Sequence, residues 1–533
     1  MFLIKAYFCS VTIFEAVATL VNSRNGRRER ASGIKEGFMK EMDMIKDIVR
    51  AYRNYPDHVA FVIDDTSYTY QEVFARVQGI IPFVQDCPED IIGIIAEDCI
   101  ETYASILAVL LAEKTYVILH PNYPDSRNRT IVESTGMKQV LYGHESGTRQ
   151  GLSNEIKCIS TLELRDENTD HLTGEQTQDT NKNAYIIFTS GSTGIPKGVP
   201  ISRKNLNAFY AAYHQLGWQL GPTDRMLQMF ELTFDVSVVS TLYPLTLGAS
   251  VYTVGTSKLK YMRVYELMED EELTFVAMPP SLLQFLSPYF DEIHVPTLKY
   301  LIVTAEAANA DLLQRFRACA PNAEFVNLYG PTEATIYCTA YRIPPEGCKQ
   351  HNGMIAIGHP FTGIDTLIMD EKEIPVQTGE QGELWVSGEQ VMRGYWQDED
   401  KSRQAFARFN GKVYYKTGDL CSVDPDGDII YRGRKDYQVK VQGFRVELSE
   451  IEYRTKKFFP NETNAVVVPK KEDDGGCQLH LFVGTTPHER DALLHYLKEH
   501  LPVYMLPTEV HFLEEFPLNT SGKIDRKALT TLI

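Results

Sequence analysis

The sequence predicts an α/β protein, with a large N-terminal domain of parallel β-sheets packed by helices and a small C-terminal α+β domain. Three observations point that way. The chain has 533 residues, well beyond the size at which one hydrophobic core stops growing, so two or more domains are expected. From about Lys46 onward short apolar runs alternate with helical patterns, the signature of βαβ units and parallel sheets. A new run then begins at Tyr437, and roughly the last hundred residues read as a separate compact unit.

Residues 1–40 read as a dispensable N-terminal extension. Phe2 to Val21 is fairly apolar, but Lys5 and Glu15 interrupt it, and a membrane span needs a longer clean run. Ala16-Val17-Ala18 only loosely imitates a signal cleavage site, so a cytoplasmic protein with no stable membrane insertion is expected. The large domain takes residues 41–435. In it Ile91 to Ile95 reads as a buried strand, Ala104 to Leu111 as a helix and Tyr116 to Leu119 as the next strand. Arg165 to Lys182 is polar and reads as a surface loop. Asp424-Pro425-Asp426-Gly427-Asp428 marks a turn between short strands. The small domain takes residues 436–533.

Composition narrows the function. Hydrophobic residues make up 43% and charged residues 23%, ordinary for a globular protein with a large core. The net charge of -18 argues against a nucleic-acid partner, which would call for a basic footprint. Nine cysteines run from Cys9 to Cys477, an odd number with no CxxC spacing, so they read as reduced thiols and not as a zinc framework.

One loop carries a chemical signal. Ala184 to Phe188 is a strand candidate, and Thr189-Ser190-Gly191-Ser192-Thr193-Gly194-Ile195-Pro196-Lys197-Gly198 follows at once. Glycines let the backbone approach an anion closely, and the hydroxyls and free N–H groups donate to phosphate oxygens. Lys197 supplies a cation at the loop's end. Pro196 and Gly198 break the spacing of the kinase- and GTPase-type phosphate loop. Taken alone, the stretch reads equally well as a phosphate cradle or a flexible polar turn.

The run Phe188 to Gly198 resembles the signature of the adenylate-forming superfamily, which includes acyl-CoA synthetases, luciferases, peptide-synthetase adenylation domains and D-alanine–carrier protein ligases. Four further stretches match in the family's order: Asn327-Leu328-Tyr329-Gly330-Pro331-Thr332-Glu333, Tyr415-Lys416-Thr417-Gly418-Asp419, Gly433-Arg434-Lys435-Asp436 and Pro517-Leu518-Asn519-Thr520-Ser521-Gly522-Lys523. Five ordered motifs are far more specific than one.

The resemblance implies ATP and Mg²⁺ as cofactors, and a small domain that moves. It implies that Tyr329 stacks on adenine and that Asn327 bonds the ring's edge. Thr332 donates to the α-phosphate, Glu333 holds Mg²⁺, Asp419 accepts the ribose hydroxyls and Arg434 contacts ribose and phosphate. Lys523 is the catalytic cation. A carboxylate attacking an α-phosphate joins two anions, and the transition state needs that charge offset. Asp436 matches the family's hinge position.

The substrate is read from Phe234-Asp235-Val236-Ser237. In the family's amino-acid branch an Asp here pairs with the substrate ammonium, which needs a counter-ion once desolvated; on its own an Asp in this setting also reads as a helix cap. The specificity positions carried over are Asp235, Val236, Val239, Ala277, Val303, Ala305, Leu328, Ile336 and Tyr337. They are apolar apart from Asp235 and the Tyr337 hydroxyl, so a small or medium uncharged amino acid fits. The likeness within the branch is greatest to D-alanine–carrier protein ligases, although Thr304 stands where those commonly have Cys, and Ala305-Glu306 replaces a Gly-Glu pair. No Gly-Gly-x-Ser attachment motif is visible, so a separate carrier protein with a phosphopantetheine arm is the expected acceptor. The competing readings are an acyl-CoA synthetase on a small acid and a non-catalytic nucleotide-binding homologue.

Overall fold

The computed structural model describes residues 42–144, 152–166, 172, 179–191, 196–255, 260–435, 438–459, 463–472, 476–484, 489–517 and 524–533. The extension expected at residues 1–40 lies outside them.

The chain turns helical at Met44 because the Asp43 carboxylate accepts from the N–H groups of Ile45 and Lys46. Strand Ile91–Ile95, helix Ile100–Leu111 and strand Thr115–Leu119 form the expected βαβ unit, its strands parallel with Ile92 beside Tyr116. That helix is apolar almost all round, and Ile100 to Leu110 are all buried, as a core helix between layers must be.

The unit belongs to a six-stranded sheet, in spatial order Lys157–Ser160, Gln139–Tyr142, Ile91–Ile95, Thr115–Leu119, Asn183–Thr189 and Lys197–Ser202. A nine-stranded sheet has a parallel centre running Arg225–Gln228, Phe275–Met278, Tyr300–Val303 and Glu324–Tyr329. The sheets are not parallel throughout. Asn183–Thr189 and Lys197–Ser202 are antiparallel, with Thr189 beside Lys197, because seven intervening residues span a hairpin but not a crossover. The glycine-rich stretch is therefore a hairpin connection at a sheet edge. A third, antiparallel sheet is built from Ile364–Met369, Gly382–Gly388, Phe406–Phe409, Lys412–Val423 and Ile429–Arg434.

From Gln438 onward the strands pair only with one another. Gln438–Val441 and Phe444–Glu447 make a hairpin, and Ala465–Lys471, Cys477–Val483 and Glu509–Phe512 make a three-stranded sheet. Helices Leu448–Phe458 and Arg490–Lys498 share with them a core of their own, which includes Val446, Ile451, Leu481 and Leu497. This is the small α+β unit, set against a much larger α/β one. No helix among the described residues is long and apolar enough to cross a membrane.

Candidate active site

The sheet edges and the small unit converge on one place. Ser190, buried at the end of strand Asn183–Thr189, donates its Oγ hydrogen to the Arg445 carbonyl at 2.9 Å and accepts from the Glu447 N–H at 3.2 Å. Next to it the Gly191 N–H donates to Glu450 Oε2 at 3.2 Å. The first residues of the glycine-rich loop are thus held by the small unit. Thr189 Oγ1 is buried with no hydrogen-bond partner among the described residues. Ser192, Thr193, Gly194, Asp436 and Lys523 lie outside the described residues.

Glu333 is the electrostatic centre. It sits on a single 3₁₀ turn, Thr332–Ala334, and is fully buried. Tyr395 donates its hydroxyl to Oε1 at 2.8 Å, Arg445 Nη1 reaches Oε2 at 2.9 Å, and Lys197 Nζ stands 3.6 Å from Oε1. Burial alone would raise this carboxyl's pKa. Arg445 and Lys197 outweigh it and hold the group well below the usual carboxylate range. Burial, with Arg445 as a like-charged neighbour, pulls the Lys197 ammonium down from its ordinary value. Lys197 is shared with Glu447 at 3.8 Å and lies over the Tyr395 ring. The next residue, Trp396, bonds through its backbone N–H to the Gly198 carbonyl at 2.9 Å and through its indole to the Ser134 carbonyl at 3.0 Å.

The nucleotide candidates cluster along strand Glu324–Tyr329. The Tyr329 hydroxyl donates to Asp419 Oδ2, and Arg434, opposite Asp419 across the strand pair, donates to Oδ1 at 2.9 Å. Asn327 donates to the Ala356 carbonyl at 2.9 Å. Gly330 is required by close packing, since a Cβ there would lie 2.5 Å from the Ile336 carbonyl oxygen. Pro331 leads into the turn that carries Thr332 and Glu333.

The Asp235 carboxylate stands at the head of helix Val236–Leu247 without making a side-chain capping bond. It is buried, and burial pushes its pKa up to about 6, against the pull of the Thr332 hydroxyl and Lys440. Val236, Val239, Ala277, Leu328, Ile336 and Tyr337 meet in one apolar cluster. Val303 does not join them. It packs on the opposite face of the sheet with Met278 and Leu301, because Ile302 and not Val303 is paired with Ala277. Ala305 (φ 67°) and Ile336 (φ 72°) both hold left-handed backbone, which is unusual for a side chain branched at Cβ such as isoleucine.

Sequence reasoning missed Arg445, Tyr395, Glu447 and Glu450. The signal for Arg445 was present. Gln442 (φ 51°) and Gly443 (φ 83°) form a two-residue turn of the primed type, which sets Lys440 opposite Arg445 on one face. The turn's tip is fixed by Glu306, which accepts from the Gly443 N–H at 2.6 Å and from the Ser281 N–H at 2.9 Å. Phe444 stacks edge-on against Phe234, beside Asp235.

Comparison with known proteins places these residues in a family. A family model described as "AMP-binding enzyme" matches residues 48–396. Tyrocidine synthase 2 of Brevibacillus parabrevis is 32% identical over 489 residues, which cover 89% of this chain and only 13% of that much longer protein. Zwittermicin A synthase ZmaJ of Bacillus cereus is 31% identical over 494 residues, covering 90% of this chain and 92% of that one. Among solved structures, the Vibrio cholerae adenylation domain AlmE, in complex with glycyl-adenosine-5'-phosphate, superposes with a TM-score of 0.82 at 24% identity, covering 92% of this chain and 98% of the other.

Proposed function

Because the chain belongs to the AMP-binding enzyme family, and is thus an adenylate-forming ligase that uses ATP, we propose that its substrate is a small uncharged amino acid. It forms the aminoacyl-AMP with release of pyrophosphate and passes the aminoacyl group to the phosphopantetheine thiol of a carrier protein. The observation that carries this reading is Asp235: a buried carboxylate at the head of a buried helix, with no capping role and with apolar Val236, Val239 and Tyr337 close by. A desolvated ammonium is the partner such a group needs.

In this reading Thr332 serves both reactants, since its hydroxyl favours the charged form of Asp235 and the neighbouring Glu333 faces the phosphate side. Tyr329, Asp419 and Arg434 hold the nucleoside, and Lys523 offsets the charge that builds as the carboxylate meets the α-phosphorus. Glu333 offers the hard oxygen that Mg²⁺ takes. In the described arrangement Arg445, Lys197 and Tyr395 occupy both of its oxygens, so a cation reaches it once Arg445 has withdrawn.

The test is ATP–pyrophosphate exchange against a panel holding both enantiomers of small amino acids, charged amino acids and short carboxylic acids without an amine. Exchange with one or a few small neutral amino acids is expected. Exchange with an amine-free acid alone would replace this reading with an acyl-CoA synthetase, and exchange with nothing would leave a non-catalytic nucleotide binder.

A further inference from the structure

Away from the cleft, the small sheet brings together three groups with metal-binding chemistry. Strands Cys477–Val483 and Glu509–Phe512 run parallel, with His480 beside Glu509 and Phe482 beside His511. His480 Nδ1 and His511 Nε2 are 2.9 Å apart. Glu509 Oε2 is 4.0 Å from the first and 3.6 Å from the second. Zn²⁺ takes imidazole nitrogen and carboxylate oxygen at about 2.0–2.1 Å, which in a tetrahedron separates the ligand atoms by about 3.3 Å. The three observed separations bracket that value.

The surroundings leave room for an ion to replace the bond between the two imidazoles. His480 is 4% exposed, and its other nitrogen, Nε2, is buried with no hydrogen-bond partner among the described residues. Nδ1 is therefore the nitrogen this ring presents to a ligand. The two rings lie nearly parallel, 11° apart, and Phe482 packs against the outer one. Glu509 and His511 stand on the edge strand, their side chains 56% and 27% exposed, which leaves a solvent side for a fourth ligand such as water. Lys470 and Glu472 are the charged neighbours of His480, and their opposite charges offset each other.

We infer that His480, Glu509 and His511 form a binding site for a zinc-class divalent ion, separate from the adenylating cleft. Both imidazoles bind in the neutral form, with protons on His480 Nε2 and His511 Nδ1, and the carboxylate supplies the negative charge. The site has a structural consequence. Val466, Val468, Phe482 and Leu529 form a cluster beside it, packed by Leu513, Phe516 and Ile524. In sequence, Phe516 and Ile524 flank the stretch that ends at Lys523. An ion joining the two strands stabilises the sheet on which Phe516 and Ile524 pack.

The test uses the full chain freed of metal, titrated with ZnCl₂ against a chromophoric chelator, and Co²⁺ as a spectroscopic substitute. One equivalent binding with a Kd on the order of micromolar is expected for a three-residue site, with a Co²⁺ visible spectrum of four-coordinate intensity. The chain has 13 histidines, so variants decide where the ion sits. H511A is expected to weaken Zn²⁺ binding at least tenfold and to lose the Co²⁺ spectrum, at a temperature where the metal-free variant is still folded. E509Q, changed at a side chain more than half exposed, decides in the same way if H511A does not fold. No binding by the parent chain, or unaltered affinity in the deciding variant, overturns the site and leaves a proton-sharing imidazole pair. The readout needs no ATP or amino acid, so it stands or falls apart from the proposed activity.

Discussion

Asp235 combines a functional demand with a stability penalty. Its carboxyl titrates near 6 in the fold against 3.8 for an ordinary aspartate. The folded state therefore holds the proton more tightly than the unfolded chain does. Stability contributed by this group falls as pH rises from about 4 through about 6, and stays lowered above that. The shift corresponds to about 3 kcal/mol at most. Asp235→Asn is accordingly expected to raise the unfolding midpoint at pH 7.5 while abolishing amino-acid-dependent pyrophosphate exchange. In the parent enzyme the apparent affinity for the amino acid is expected to fall below pH 6 by about tenfold per unit, since only the carboxylate pairs with an ammonium. An Asn variant that exchanges at the parent rate, or that melts earlier at pH 7.5, would make Asp235 a structural residue. Single residues of this kind could be singled out because their motifs are local: Asp235, Glu333 and Asp419 each sit in a short run of distinctive neighbours, and the structure buries all three. Val303 was carried over on the same spacing, and the structure packs it with Met278 and Leu301 instead. Which face of a sheet a side chain takes depends on strand register, and motif spacing does not carry register.

At the scale of elements, the hairpin Gln438–Glu447 meets the glycine-rich loop and Glu333 together. It contributes the cation closest to Glu333, bonds Ser190 twice through the backbone of its second strand and meets Glu306 with its tip. Its first strand was legible in outline, as a run starting at Tyr437. Its destination was not, because contacts more than 100 residues apart in sequence leave no local trace. If Glu333 holds Mg²⁺ as proposed, Arg445 and the cation compete for one carboxylate. Arg445→Ala is therefore expected to tighten Mg·ATP binding several-fold by calorimetry, while slowing transfer to the carrier thiol at least tenfold. Truncating one partner of a buried pair leaves the other unpaired at a penalty of about 3–5 kcal/mol, and here withdrawal of the hairpin relieves it. Unchanged nucleotide affinity would show that Arg445 and the cation do not exclude each other.

For the whole molecule, the joint between the two units is ionic. Arg127 and Glu450 pair at 3.0 Å with both side chains almost wholly buried, and Glu450 also accepts from Gly191. Arg127→Ala strands the Glu450 charge, and the small unit is expected to leave the cleft. Small-angle scattering should then show a larger radius of gyration, and proteolysis faster cutting between the units. Arg127→Ala with unchanged dimensions would mean that apolar contacts such as Phe234 against Phe444 suffice. If the chain carries out both half-reactions proposed above, adenylation and thiol transfer make different demands on the cleft, and the small unit has to turn about a few backbone dihedrals between them. Asp436→Pro, which fixes φ there, is expected to leave pyrophosphate exchange largely intact while transfer falls steeply. Equal slowing of both steps would place the hinge elsewhere. The α/β class and the large-and-small division were legible because periodicity and length carry them, whereas the docked arrangement depends on side chains that meet only after folding.

Trp396 gives the enzyme an optical property of its own. The chain has three tryptophans, and none follows residue 396. Trp218 and Trp385 are 8% and 2% exposed, so their emission is insulated from events in the cleft. Trp396 is half-buried, bonded to Gly198 at the end of the glycine-rich hairpin and covalently joined to the tyrosine that holds Glu333. Its indole should change colour or quantum yield when nucleotide displaces Arg445 from that carboxylate, against a constant background from the other two. The occupancy of the cleft can then be followed in real time in the unlabelled protein, and Trp396→Phe should remove the signal without altering turnover.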